Sequence, residues 1–382
     1  MPIYLDYHAT TPVDARVLAA MTPYFMEIFG NPASTSHRVG LQARAAVEQA
    51  RQRIAGALNA SSPGEIVFTS GSTESNNLAI KGVARTCAPR GRHVITAATE
   101  HKAVLNACKA LRDDGYDVTM LPVASDGSLS VADVEAALRP DTVLVSLMHA
   151  NNEIGVIHDI AAIGAVCRAR GVLLHTDATQ SFGKVPVDVQ AMQVDLLSMS
   201  AHKMYGPKGV GALYVRTPCK LAPQLDGGGH EGGLRSGTLN VPGIVGLADA
   251  VVLACSDLEI DRRTQRALRD RLWRALREAC PTVLLNGPDP IASPERRLPN
   301  NLNVSVPGAA GDALLAALGD DICVSTSSAC TSASGESSHV LTAIGREEGL
   351  TNLRISVGRP TTSAEIDEVV ACISRATVMP NA

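Results

Sequence analysis

The sequence contains no Cys-x-x-Cys pair, although it has nine cysteines among its 382 residues. The nine are odd in number and scattered, at positions 87, 108, 167, 219, 255, 280, 323, 330 and 372. Structural zinc sites and small secreted domains both use cysteines at short, paired spacings, so the pattern argues against a zinc site and against a disulfide framework. We therefore expect no metal site, and free thiols in a reducing cytoplasm.

A long apolar run is also missing. The first six residues lack a basic region and an apolar segment, which predicts that no signal peptide is present. The most apolar later stretch, 241–255, contains Pro242 and Asp249 and is too short to span a bilayer. We therefore expect no contact with a membrane.

Positive charge is not in excess, because 34 Lys and Arg residues stand against 38 Asp and Glu residues, a net charge of −4. This balance gives no electrostatic reason for direct binding to nucleic acid. A content of 45% apolar and 19% charged residues is typical of a globular enzyme. The length exceeds what one small core needs and predicts two domains.

The most informative stretch is 198–211, which forms a turn between two apolar runs. Lys203 lies in this turn, with Ser200 and His202 before it and glycines after it. A lysine that forms a Schiff base with pyridoxal phosphate needs a fixed position and a phosphate site beside it. We interpret Lys203 as such a cofactor lysine, with Lys208 in the Gly-Pro-Lys-Gly turn as a competitor.

Apolar strand-like runs alternate with helical segments over much of the chain. Residues 65–69 and 142–148 are typical of buried strands, whereas 38–58 has the apolar spacing of an amphipathic helix. Repeated strand–helix units predict a mostly parallel sheet that is covered by helices. In such sheets ligands bind beyond the carboxyl ends of the strands.

Five polar clusters each follow a predicted strand. They contain Thr73, His101, Asn152, Asp177 with Gln180, and Ser200 with His202 and Lys203. The first cluster opens a helix, where backbone N–H groups and the helix dipole can bind a phosphate. Each cluster has a structural alternative, since Ser72, Thr73 or Asp177 could be a simple helix N-cap and His101 a core histidine. Together the five predict one binding site.

The pattern changes near residue 226. A glycine-rich segment at 227–238 is followed by an amphipathic helix at 257–280. We predict a large domain for the cofactor at 13–255 and a small α+β domain at 256–382. Residues 1–12 form an extended arm that packs against the small domain.

A loop of small polar residues at 324–335 contains a single cysteine, Cys330. Exposure and mobility in such a loop fit the description of a reactive thiol. Cys323, between Ile322 and Val324, is typical of a buried strand residue instead.

These stretches together resemble the cysteine desulfurases of the NifS/IscS type, in the class V aminotransferase group of fold-type I pyridoxal-phosphate enzymes. The similar stretches run nearly end to end, at 4–14, 69–82, 99–104, 151–155, 175–183, 200–215, 227–238, 324–334 and 353–362. The resemblance implies an α/β fold with a mostly parallel central sheet in the large domain and a smaller α+β C-terminal domain. It also implies pyridoxal phosphate as the cofactor and L-cysteine as the substrate.

The resemblance further implies which residues contact the cofactor ring. Lys203 matches the Schiff-base lysine, and Asp177 matches the carboxylate that pairs with the pyridinium nitrogen. Gln180 matches the residue that hydrogen-bonds the phenolic oxygen. His101 matches an imidazole stacked on the ring, which could also move protons.

Other matched residues imply a phosphate site and a shared dimer. Thr73, Ser200 and His202 match phosphate contacts, and we count the adjacent Ser72 among the cofactor-binding residues. Thr238 matches a residue that reaches the phosphate of the other subunit, which implies a homodimer with shared sites.

The resemblance also implies which residues bind the substrate and which residue takes its sulfur. Asn152 matches a residue at the cofactor and the substrate, and Arg354 matches an arginine whose fork holds the α-carboxylate. Cys330 matches the cysteine that attacks the substrate sulfur. The implied reaction converts L-cysteine to L-alanine and leaves a persulfide on Cys330. That sulfur would pass to an acceptor protein, either an iron–sulfur scaffold or a sulfur carrier.

Two alternative functions stay open, a selenocysteine lyase or other pyridoxal-phosphate-dependent C–S lyase, and a non-catalytic interaction subunit that retains the fold. The sequence departs from the family's pattern at Gly232, Ser327 and His8. Many relatives have arginine, glycine, and a small residue or asparagine at these three positions. The departures leave the sulfur acceptor open among iron–sulfur clusters, tRNA, thiamine, molybdopterin and DNA modification.

Overall fold

The computed structural model describes residues 2–307, 314, 318–319, 321–326, 338–346 and 350–378. Cys330, the departure at Ser327 and most of the loop at 324–335 lie outside the described residues.

A seven-stranded sheet lies at the centre of the larger part of the chain, in the spatial order β2-β8-β7-β6-β5-β3-β4. Its strands are β2 (Ile66–Thr69), β3 (His93–Ala97), β4 (Asp117–Leu121), β5 (Thr142–Met148), β6 (Leu173–Asp177), β7 (Leu196–Ser200) and β8 (Gly211–Val215). Only β8 runs against the others, since it pairs antiparallel with both β2 and β7. The predicted mostly parallel sheet is confirmed.

Helices cover both faces of this sheet. They are α1 (Ala15–Met21), α2 (Pro23–Met26), α3 (Arg38–Leu58), α4 (Ser72–Cys87), α5 (Lys102–Asp113), α6 (Val131–Ala137), α7 (Ile160–Ala169) and α8 (Val241–Ser256). Alternate residues of a strand point to opposite faces. Phe68 and Ile95 therefore join the core under α3 and α8, whereas Val67 and Val94 join the core under α4 and α5.

A second, antiparallel sheet belongs to the C-terminal part, in the order β12-β13-β10-β9. The elements here are α9 (Leu258–Ala279), β9 (Leu284–Leu285), β10 (Asn301–Val306), β11 (Ile322–Cys323), β12 (Ser325–Thr326), α10 (His339–Ala343), β13 (Thr351–Ser356) and α11 (Ser363–Val378). Trp273, Val304 and Ile366 belong to its separate apolar core. The predicted domain boundary at 255/256 stays a prediction.

The N-terminal arm runs along this second part. Its short strand β1 (Ile3–Tyr4) pairs in parallel with β11, and Asp6 forms a bridge with Ser356. Ile3 and Leu5 are buried in the second core. Further along the arm, the backbone N–H of Thr11 donates to the carbonyl of His202 at 3.0 Å, just beyond the carboxyl end of β7.

None of the described helices is by itself long and apolar enough to cross a membrane. The adjoining helices α8 and α9 reach that length and apolar composition only when taken together, and they are bent by 70° relative to each other. The expectations of no membrane contact and no metal site stay predictions.

Candidate active site

The carboxyl ends of the parallel strands open into a cavity of about 570 Å³. Ten of the predicted site residues line it: Ser72, Thr73, His101, Asn152, Asp177, Gln180, Ser200, His202, Lys203 and Arg354. Thr238 is exposed and is not among the lining residues that the structure describes. Cys330 lies outside the described residues. The structure therefore brings together all the described candidates except Thr238.

Lys203 ends a short 3₁₀ helix that follows β7. Its Nζ donates hydrogen bonds to the backbone carbonyls of His8 and Ala9, the latter at 2.7 Å. Both carbonyls belong to the N-terminal arm. The two hydrogen bonds fix the position of the amine at the end of a flexible side chain. The competitor Lys208 also lines the cavity, but it is exposed.

A buried lysine, Lys184, lies against the backbone of Lys203. Its Nζ donates to the carbonyl oxygen of Lys203 at 2.8 Å. Burial, followed by the charge of Lys203, lowers the pKa of Lys184 to about 7. The sequence interpretation missed this residue, because nothing in its neighbours distinguishes a buried lysine from a surface one.

Asp177 ends β6 as a buried carboxylate at the floor of the cavity. Its Oδ2 accepts from Asn76 Nδ2 at 2.7 Å, and its Oδ1 accepts from the backbone N–H of Thr179 at 2.9 Å. Each of these two oxygens has a further lone pair that can accept a hydrogen bond. Asn76, from helix α4, was also missed by the sequence interpretation.

The loop between β2 and α4 forms a second wall. Gly71, and not Ser72 or Thr73, is the N-cap of α4, and no described side chain caps this helix. Gly71 has φ +147°, a conformation that favours glycine, and a Cβ on Gly211 would lie 2.7 Å from its Cα. The first turn of α4 therefore offers N–H groups and the positive end of its dipole to the cavity.

Ser200 and His202 lie across from this helix end, at the carboxyl end of β7. His202 Nδ1 is 3.1 Å from Thr10 Oγ1. Burial, followed by the charge of Lys203, lowers the pKa of His202 to about 4. The imidazole is therefore neutral at pH 7 and hydrogen-bonds without adding a charge.

His101 is both the N-cap of α5 and a wall of the cavity. Its Nδ1 accepts from the backbone N–H of Ala103 at 3.1 Å. In a neutral imidazole the other nitrogen then carries the proton. Burial lowers the pKa of His101 below its ordinary value, so this neutral form dominates at pH 7. His101 therefore caps a helix and lines the cavity at the same time, and it is half-buried, unlike the core histidine of the structural alternative.

Arg354 reaches the cavity from β13 and is 3% exposed. Its Nη2 donates to Asp6 Oδ1 at 2.8 Å, and its Nη1 donates to the carbonyl of Asn152 at 3.3 Å. Within the described part of the chain, Nε has no hydrogen-bond partner. A buried guanidinium N–H without a partner is costly, and a ligand carboxylate would satisfy it.

The lining residues fit pyridoxal phosphate. The cofactor needs a lysine amine, a carboxylate for its ring nitrogen and a phosphate site. Lys203, Asp177 and the uncapped first turn of α4 supply these three groups in one cavity.

Glu153, in the loop after β5, is buried and accepts a hydrogen bond from Ser338 Oγ. Burial raises the pKa of Glu153 from 4.5 to about 7. A carboxyl group with a raised pKa in the folded state stabilises the fold fully below pH 4.5. That contribution is lost as the pH rises to about 7.

We expect Glu153→Gln to become more stable relative to the parent as the pH rises from 4.5 to about 7. The difference should reach at most roughly 3 kcal/mol and then stay constant. Denaturant unfolding at a series of pH values measures it. The exposed Glu278→Gln is the matched control and should show no such change. A difference independent of pH would mean that burial does not shift the pKa of Glu153.

Comparison with known proteins finds one family model along most of the chain, the class-V aminotransferases, which matches residues 3–369. A cysteine desulfurase IscS from Anaeromyxobacter dehalogenans (strain 2CP-C) is 53% identical over 374 residues. The match covers 97% of this chain and 91% of that relative.

Two solved structures are also similar to this chain along most of its length. A NifS-like protein superposes with a TM-score of 0.90 at 39% identity, covering 98% of this chain and 99% of the other. SspA in complex with cysteine superposes with a TM-score of 0.82 at 39% identity, covering 94% and 100%.

Proposed function

The chain belongs to the class-V aminotransferase family, as its sequence predicted, and from that premise we propose that it is a pyridoxal-phosphate-dependent cysteine desulfurase. The observation that carries this proposal is the meeting of Lys203, Asp177 and Arg354 in one cavity. These residues supply an amine, a carboxylate and a guanidinium from three different strand ends or strands. Similarity to desulfurases along nearly the whole chain supports the same activity.

Pyridoxal phosphate, when bound, withdraws electrons from the Cα of an attached amino acid. Lys203 would hold the cofactor covalently, and Asp177 would keep its ring nitrogen protonated. The amide N–H of Gln180 that does not donate to the carbonyl of His8 would face the phenolic oxygen. The first turn of α4, with Ser200 and His202, would bind the phosphate.

Arg354 and Asn152 would orient L-cysteine. The Nε–H of Arg354, which has no partner among the described residues, would donate to the α-carboxylate, while Asp6 keeps the guanidinium in place. Lys203 Nζ would then accept the proton that leaves Cα, and Nε2 of His101 is the atom that can return one.

Cys330 would complete the reaction. Its thiolate would attack the sulfur of L-cysteine, so that an S–S bond forms and the Cβ–S bond breaks. The electron pair stays with the carbon, which takes up a proton and leaves as L-alanine. The persulfide on Cys330 would pass to an iron–sulfur scaffold or a sulfur-carrier protein.

The proposal includes a homodimer in the cytoplasm. Thr238 is exposed, at the end of a glycine-rich segment that is tied to the rest of the fold by ion pairs. Arg51 binds Glu231 at 2.7 Å, and Arg235 binds Glu74 at 2.8 Å. This anchoring supports a role for Thr238 at the phosphate of a second subunit. A monomer of 39.9 kDa in light scattering of the active protein would refute this part.

The whole proposal is tested with purified protein loaded with pyridoxal phosphate and given L-cysteine. We expect L-alanine in a 1:1 ratio to transferred sulfur and a persulfide on Cys330 in mass spectrometry. Comparison of the rates on L-cysteine and L-selenocysteine separates the desulfurase from a selenocysteine lyase. No cofactor binding at all would favour a non-catalytic subunit.

We expect Arg354→Lys to raise KM for L-cysteine by roughly 10- to 100-fold, because a hydrogen bond to a charged group is lost and lysine cannot form the fork. Initial rates at a range of L-cysteine concentrations measure this. The control is Arg271→Lys, which changes an exposed arginine paired with Asp367. An unchanged KM in Arg354→Lys would show that Arg354 only pairs with Asp6.

A further inference from the structure

His8 lies in the wall of the cavity, although the sequence distinguishes it only as a departure from the family pattern. Its side chain is buried, with the residue 1% exposed. Its backbone N–H donates to Ser356 Oγ at 2.9 Å, and its carbonyl accepts from Lys203 Nζ. The backbone is therefore held from both sides, and the imidazole has a defined place.

Gln180 determines which imidazole nitrogen of His8 carries the proton. A carbonyl oxygen only accepts, so the contact of 3.0 Å between Gln180 and the carbonyl of His8 must be made by the amide Nε2. The amide Oε1 then faces His8 Nδ1 at 2.8 Å, and since this oxygen also only accepts, Nδ1 must be the donor.

His8 Nε2 is thus left as a lone-pair acceptor. It is buried and has no hydrogen-bond partner among the residues that the structure describes. Burial, followed by the charge of Arg354, lowers the pKa of His8 well below its ordinary value, so a second proton is not taken up at pH 7. An unmet buried acceptor is costly, and a ligand in the cavity would satisfy it.

Arg354, which lines the same cavity, carries the complementary group, an Nε–H donor without a partner in the described part of the chain. An amino-acid ligand has matching groups of both kinds. Its carboxylate accepts hydrogen bonds, whereas its amine and, in cysteine, its thiol donate them. A donor and an acceptor on two residues that line the same cavity are therefore suited to hold an amino acid in one orientation.

We propose that His8 is a substrate-binding residue, whose Nε2 accepts a hydrogen bond from the amine N–H or thiol S–H of the bound amino acid. This inference rests on the proposed desulfurase function and adds a second polar anchor to Arg354. Gln180 has a double role in it, because it orients His8 with its Oε1 while one of its N–H groups remains for the cofactor.

Two variants of His8 distinguish the effect of losing the Nε2 acceptor from the effect of changing the rest of the side chain. In His8→Asn the amide nitrogen replaces Nδ1 and still donates to Gln180, but nothing replaces Nε2. In His8→Gln the longer side chain brings an amide oxygen close to the place of Nε2. We expect His8→Asn to raise KM for L-cysteine roughly 3- to 10-fold, as the loss of one neutral hydrogen bond requires. His8→Gln should recover most of that loss.

Equilibrium binding of L-alanine, followed by the absorbance change of the bound cofactor, identifies the donor. L-Alanine has the amine and lacks the thiol. A weaker binding of L-alanine to His8→Asn by the same factor assigns the amine as the donor. Unchanged binding of L-alanine together with the raised KM for L-cysteine assigns the thiol.

The inference is overturned if His8→Asn has the KM of the parent, or if His8→Asn and His8→Gln are impaired equally. Cofactor absorbance and the melting temperature of each variant are compared with the parent, and His8→Ala replaces His8→Asn if the latter does not fold. A parent protein that neither binds pyridoxal phosphate nor consumes L-cysteine refutes the proposed function instead. An active parent with insensitive variants refutes only the role of His8.

Discussion

Lys203→Ala will lose the absorbance of covalently bound pyridoxal phosphate and will lower the turnover of L-cysteine by roughly 10³-fold or more. The amine at this position is held by the carbonyls of His8 and Ala9 at the cavity wall. Alanine removes both the covalent attachment and the base for the Cα proton. Borohydride reduction followed by peptide mass spectrometry shows which lysine carries the cofactor.

Lys208→Ala is the matched control, because Lys208 lines the same cavity but is exposed. It should keep the absorbance, and reduction should still label Lys203. If the label is found on Lys208, the assignment of Lys203 is wrong. Melting temperatures of both variants confirm that the comparison is between folded proteins.

Cys330→Ser will bind pyridoxal phosphate like the parent and will lose persulfide formation, with L-alanine production lowered by roughly 10³-fold or more. A hydroxyl cannot attack the substrate sulfur at a useful rate, whereas the residues that hold the cofactor are unchanged. Cofactor absorbance, L-alanine release and the mass of the protein after reaction measure the three quantities separately.

Cys255→Ser is the control. It removes an exposed thiol that is not among the described cavity-lining residues. It should behave as the parent does in all three measurements. Undiminished sulfide release by Cys330→Ser would contradict the nucleophile role and favour a C–S lyase. Persistence of activity on L-selenocysteine alone would favour the selenocysteine lyase.

The cavity-lining residues that could be predicted from the sequence share one property. His101, Asp177 and Lys203 each lie at the carboxyl end of an apolar strand or shortly after it, and the carboxyl ends of parallel strands meet at one edge of a sheet. The place of a residue in the strand–helix pattern therefore predicted its place at this edge of the sheet. The same reasoning placed the helix 38–58 and the strand 142–148 at their observed bounds.

Other residues of the site could not be found in this way. Asn76 contacts Asp177, and Lys184 contacts the backbone of Lys203, only because helices and loops distant in sequence pack together. Lys184 has no neighbour that distinguishes it from a surface residue, and Asn76 lies inside the helix that follows the polar loop, where sequence gives no contact partner. His8 was visible in the sequence only as an unusual residue type.

The sequence by itself determined the family, the mostly parallel sheet and the edge at which its polar residues gather, because periodicity and strand-to-helix order are local properties of the chain. Tertiary structure decided what those residues contact. It laid the N-terminal arm along β11, so that His8 and Arg354, 346 residues apart, line one cavity. It also raised the pKa of Glu153 and lowered that of Lys184 by burial, which depends on the packing of the whole chain.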